Sequence, residues 1–262
     1  MGGYCLMQQT LTKEEYELSI WRVFEILIVY MLIIAGLINI PFDELLKISY
    51  IKNHLILSNL IATIEEAFSS FIPIMLLIKN IRKKSDFRLK YKENFSIKLL
   101  ICTIFIMAGY VLFYQNTIGV LTSKIHINSF APEAFRDLSA NSAAFIISVV
   151  IIAPISEEMI MRGIILEGLL HKYKPMIAII ISALFFGAMH MNIPQFVNAF
   201  FIGLISGVIY YKTSSLMLSI AAHIANNIFV LFDIPGGILF TFIGIVILLI
   251  SSYAFKKYAD EA

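Results

Sequence analysis

Long apolar runs alternate with short polar breaks along this chain, and eight runs can be drawn, near residues 20–40, 55–78, 98–121, 142–170, 175–192, 195–211, 215–232 and 236–255. A helix of about twenty apolar residues spans the hydrocarbon layer of a bilayer, so each run predicts a membrane-crossing helix. The breaks have local causes: Pro41 with Asp43 and Glu44, the basic stretch after Ile78, the polar segment around Lys124 to Asn141, Lys174 with Pro175, Asn192 to Pro194, Thr213 to Ser215, and Asp233 to Gly237. The expected fold is therefore all-α, a polytopic membrane helical bundle of about eight transmembrane helices. Tight turns join the fifth to seventh runs, which predicts neighbouring antiparallel helices. The chain divides at the fourth run, with 1–141 holding a polar tail and three helices, and 142–262 holding the candidate chemistry (157–227) and a final helix.

The polar positions inside those runs change the picture from anchor to site. Pro154 Ile155 Ser156 Glu157 Glu158 Met159 Ile160 Met161 Arg162 places three ionisable groups in the middle of the fourth run. Ionised groups at that depth cost at least about 2.5 to 3.5 kcal/mol each on insertion scales, so they pair, face the bundle interior and serve a purpose. Glu158 and Arg162, four apart, share a helix face and can pair, while Glu157 lies roughly 100° round the helix and faces elsewhere. Pro154 removes a backbone donor just before them. Phe186 and His190 in the fifth run, and His223 and Asn227 in the seventh, are also four apart. Counted along helices rising about 1.5 Å per residue, Glu157, His190 and Asn227 reach roughly 18 to 22 Å from one membrane face, and His223 about 12 Å. A carboxylate, two imidazoles and an amide at similar depth are the groups needed to activate water and hold an oxyanion. They also suit zinc, with Glu157, His190 and His223 as ligands and one position left for water.

Other polar positions read more plainly. Glu25 lies in the first two turns of its run and reaches the interface. Gly203 and Gly207, four apart, form a close-packing face. Glu65 and Glu66 repeat the double glutamate without an arginine four residues on, and their expected role is structural.

At 59% hydrophobic, 15% charged and a mean hydropathy of +0.85, the 262-residue chain falls outside soluble domains. Of its 20 Lys and Arg, Arg162 lies within a run, fifteen fall on the side of the termini and the 79–98 stretch, and only Lys47, Lys52, Lys124 and Arg136 on the other. That asymmetry predicts a multi-pass protein of the cell membrane with both termini cytoplasmic. The basic 79–98 stretch is read as a topology determinant beside anionic lipids, with no nucleic-acid partner. No removable signal peptide is expected, and Cys5 and Cys102 suggest neither a disulfide framework nor a thiolate metal site.

Glu157 Glu158 x x x Arg162, then Phe186 x x x His190, then His223 x x x Asn227, in order on successive apolar helices, resemble the CPBP family over about residues 140–232. That family contains the type II CAAX prenyl endopeptidases and the bacterial abortive-infection and bacteriocin-immunity proteins. The resemblance implies an intramembrane endopeptidase acting on a membrane-associated peptide or protein, prenylated in the CAAX branch. It implies that Glu157 activates water with help from His190, that His223 and Asn227 form the oxyanion hole, and that Glu158, Arg162 and Phe186 shape the site. The family is often labelled metalloprotease, so zinc stands beside a metal-free, glutamate-dependent mechanism. Two other readings stay open: a non-catalytic membrane immunity protein, and a proton-coupled transporter using Glu157 and Glu158 as a relay, which the lack of an inverted repeat disfavours.

Overall fold

The computed structural model describes residues 13–125, 143–232 and 236–261. Eight principal helices follow in order: α1 Ile20–Leu46, α2 Leu55–Lys84, α3 Ile97–Gln115, α4 Ala143–Leu170, α5 Pro175–Ala188, α6 Ile193–Thr213, α7 Leu216–Val230 and α8 Ile238–Asp260. Six of them are long and apolar enough to cross a membrane. The exposed flanks carry large apolar side chains such as Leu32, Leu37, Phe105 and Leu249, as a lipid-facing surface requires. The protein is an all-α, multi-pass membrane bundle.

Helix starts follow from capping side chains. Ser19 accepts from the Arg22 amide at 3.4 Å, Ser96 from Leu99 at 3.2 Å and Asn192 from Gln195 at 2.9 Å, each satisfying a first-turn donor. Pro175 opens α5 where a missing N–H costs nothing. Arg82, Lys83 and Lys84 end α2, where cations complement the exposed carbonyls. Ser214, at φ 51°, takes the left-handed conformation that ends α6 and turns the chain into α7.

Two expected spans are cut short. The third run does not continue to 121, because α3 ends at Gln115 and a separate short helix, Ile118–Thr122, follows. The fifth does not continue to 192, because α5 ends at Ala188. At 14 and 15 residues, α5 and α7 reach only about 21 to 23 Å, less than a bilayer's hydrocarbon thickness.

The packing surrounds α4. The most extensive helix pair is α3 with α8, followed by α5 with α6 and α1 with α2. From Ile160 to Leu169 nearly every α4 residue is buried, with Met161, Ile164, Ile165, Leu166 and Leu169 fully enclosed. The extended residues 13–19 lie along the far end of α4, where the Leu18 amide donates to the Gly168 carbonyl at 2.8 Å and Tyr16 Oη to the Ile164 carbonyl at 3.2 Å.

Candidate active site

The site is built on a change of winding in α4. Residues 153–158 keep the ordinary α-helical ladder, but Ser148–Ile152 before them and Met159–Leu166 after them are wound in wider turns with i→i+5 bonding. Such turns are rare and cluster at functional sites. They bracket the double glutamate and set its two side chains in different surroundings.

Glu158 and Arg162 are fully enclosed, and Arg162 Nη1 donates to Glu158 Oε1 at 2.9 Å. The guanidinium lies over the Phe186 ring, 4.6 Å from its centroid, so α5 supplies a cation–π seat for a charge supplied by α4. Gly203 on α6 leaves room for it: a Cβ there would stand 3.3 Å from Arg162 Nη2 and 2.9 Å from the Ala183 Cα. The expected small-residue face of α6 is therefore packed against both α5 and the buried arginine.

His223 arrives from α7. Its Nδ1 lies 3.1 Å from Glu158 Oε1, and its Nε2 lies 3.9 Å from Glu157 Oε2. With Glu158 ionised against Arg162, Nδ1 carries the proton and donates to it, which turns Nε2 toward Glu157. The 3.9 Å gap is too long for a direct hydrogen bond and is of the size that one water bridges. Glu157 itself is 28% exposed, opening on a cavity of about 260 Å³ bounded by α1, α2, α4 and Met189. Glu158 and Glu157 thus divide as their helix positions predict, one locked inside and one facing open space.

Phe186 organises both imidazoles. The His190 ring meets it edge-on at 5.3 Å and the His223 ring at 5.5 Å. His190 stands in the turn after α5, not within a helix. The turn keeps its i,i+4 relation to Phe186, since His190 N donates to the Gly187 carbonyl at 3.1 Å and Nδ1 lies 3.0 Å from the Phe186 carbonyl. Asn227 Nδ2 donates to the Val149 carbonyl of α4 at 2.8 Å, and its Oδ1 accepts from Asn226 Nδ2 at 2.9 Å. One of its two amide hydrogens is therefore engaged in tying α7 to α4.

Among the described residues, no three His, Cys, Asp or Glu side chains converge as a metal-binding group. Glu157, His190 and His223 are not such a group, and Glu158 engages one nitrogen of His223. Their arrangement does not fit the zinc site that residue type alone allows.

Glu66, for which a structural role is expected, lines the same cavity as Glu157, together with Ser69, Ser70 and Ser156. The double glutamate at 65–66 was the available signal, and helix spacing alone does not tell which neighbour such a residue will face. Glu25 pairs with Arg22 at 2.6 Å on an exposed face, in line with an interfacial role.

A carboxylate on a small cavity is thus backed by a buried arginine-supported carboxylate and an imidazole inside a membrane bundle. Residues 139–229, about a third of the chain and the segment that carries the three motifs, match the family described as type II CAAX prenyl endopeptidase Rce1-like. The chain is also similar to a Bacillus subtilis (strain 168) protein named "Putative membrane peptidase YdiL", 27% identical over 169 residues, covering 63% of this chain and 68% of that one. No solved structure matches the chain. Both names point to peptide hydrolysis, and neither to an immunity factor or a transporter.

Proposed function

We propose that this protein is an intramembrane endopeptidase that hydrolyses a peptide bond of a membrane-associated polypeptide with water activated by Glu157. The observation that carries this reading is the placement of Glu157 at the mouth of the cavity, 3.9 Å from the Nε2 of a histidine whose other nitrogen is fixed by the buried Glu158–Arg162 pair. In the proposed reaction the Glu157 carboxylate takes a proton from a water bridging it to the site. The water oxygen adds to the carbonyl carbon, and Glu157 returns the proton to the departing amine as the C–N bond breaks. His190 is given the part of helping Glu157 activate water on the ground of the motif resemblance. His223, held in place by Glu158, and the second amide hydrogen of Asn227 are the groups proposed to stabilise the developing oxyanion. Glu158 and Arg162 are positioning residues: they hold the tautomer and orientation of His223 without touching substrate.

The chemistry proposed needs no metal. Purified protein in detergent is expected to cleave peptides equally well before and after treatment with a strong chelator; loss of activity that only zinc restores would replace this mechanism. Glu157→Gln is expected to abolish turnover while leaving the detergent-solubilised protein monodisperse and its thermal midpoint unchanged. A Glu157→Gln protein with unaltered turnover would remove the assignment. Prenylated and unprenylated versions of one CAAX peptide, compared side by side, test whether the lipid belongs to the substrate.

A further inference from the structure

The cavity that holds Glu157 holds a second acid. Glu66, on α2, lines the same cavity as Glu157. Ser69 and Ser70 flank Glu66, while Met31, Ile74 and Ile160 form apolar walls. Among the described residues lining this cavity there is no Lys, Arg or His. Outside the lining, His223 reaches Glu157 with Nε2 at 3.9 Å while its other nitrogen is held by Glu158, and Arg162 is fully enclosed against Glu158.

Two carboxylates on a space of about 260 Å³ inside a membrane bundle repel one another and find no cation in the walls. What such a space takes best is a group with an apolar stem and a positively charged tip. Lysine and arginine side chains have that form. The cavity is also at the small end for ligand sites, the size for one side chain with its backbone. Building on the protease reading, we propose that Glu66 is a specificity-determining residue that receives the cationic side chain of a Lys or Arg adjacent to the scissile bond. The stem lies along Met31, Ile74 and Ile160, the charged tip reaches Glu66, and the neighbouring peptide bond is thereby delivered to Glu157.

The test uses the full-length protein in detergent with a proteome-derived peptide mixture, cleavage sites being read by mass spectrometry. Wild-type cleavage is expected to be enriched for Lys or Arg within two positions of the cut. For a matched pair of peptides differing only in Lys versus norleucine at that position, Glu66→Gln is expected to reduce the kcat/KM ratio about tenfold or more, mainly through KM, as loss of a buried charge partner does. Glu66→Asp should retain most of the preference, and Glu66→Lys should turn it toward acidic neighbours. Size-exclusion profile and thermal midpoint identify any variant that fails to fold. Glu157-dependent cleavage without basic enrichment, or with enrichment unmoved in folded Glu66→Gln, overturns this assignment and leaves the protease reading standing. Absence of any cleavage that Glu157→Gln removes overturns both.

Discussion

Arg162 is held by three helices. Glu158 pairs with it from its own helix, Phe186 of α5 lies under its guanidinium, and Gly203 of α6 leaves it space. The arrangement is not optimal for stability, since Glu158 Oε2 and Arg162 Nε and Nη2 have no hydrogen-bond partner among the described residues. Buried charges that are half satisfied cost more than an apolar replacement would, and their retention here matches a role in fixing His223. Removing one partner is different from removing both. Arg162→Met leaves Glu158 buried without its counter-charge and is expected to lower stability by about 3 to 5 kcal/mol, read as a fall in thermal midpoint in detergent. The double change Glu158→Leu with Arg162→Met should recover much of that stability and none of the activity, because His223 then loses its anchor. Arg162→Lys keeps the charge but not the planar group that stacks on Phe186, so it should fall between parent and Arg162→Met. A midpoint for Arg162→Met equal to the parent's would show that the pair carries no such burden.

At the scale of elements, the chemistry was more legible than the packing. The i,i+4 spacing of Glu158 with Arg162 and of Phe186 with His190 survives into structure because a helical turn, or the turn that ends a helix, imposes it locally. The winding defects on either side of Ala153–Glu158 left no comparable trace: only Pro154 hinted at a weakened ladder. Nor does periodicity tell where a helix stops inside an apolar run, which is why α3 and α5 end before the polar residues that bounded them. Helix partners were the least legible. The spacing of Gly203 and Gly207 suggests a close-packing face, but Gly109 and Gly244, 135 residues apart, bring α3 and α8 together through a meeting of backbones. A Cβ on Gly109 would stand 2.6 Å from the Leu248 nitrogen and 2.8 Å from the Gly244 oxygen; one on Gly244 would stand 2.8 Å from the Phe113 nitrogen. Those obstacles are main chain and cannot rotate away. Gly109→Val should therefore push α8 from α3 and cost about 1 to 3 kcal/mol, seen as a lower midpoint, whereas Gly36→Val, with nothing within 4 Å of its Cβ position, should have little effect. Equal midpoints for the two variants would mean that the α3–α8 contact is looser than its geometry requires.

Across the whole molecule, the end of α4 away from Glu157 is fastened by a polar cluster that couples the extended N-terminal segment to the bundle. Glu167, almost fully buried, accepts from Tyr210 Oη at 2.8 Å and pairs with Lys90 at 2.7 Å. His171 stands between Glu15 on the segment, at 2.8 Å, and Glu167 on α4, at 3.1 Å; Lys172 adds a pair with Glu17 at 2.7 Å. Partial burial pulls the His171 imidazole toward its neutral form, but the hydrogen bonds and charges of Glu167 and Glu15 together outweigh it and leave the pKa raised. A raised value in the folded state means that the imidazolium contributes stability fully below the ordinary imidazole pKa of about 6.5, and that this contribution is lost as pH climbs through the higher folded value. The thermal midpoint in detergent is thus expected to fall as pH rises from near neutrality into the alkaline range. His171→Gln should flatten that part of the profile, and Glu15→Gln should move the fall to lower pH by withdrawing one of the two carboxylates. The same series followed by proteolysis should show the 13–19 segment becoming cleavable over the same pH interval, since its hold on α4 runs through His171 as well as through the Leu18–Gly168 backbone bond. A His171→Gln protein whose midpoint tracks the parent's at every pH would place the titrating group elsewhere.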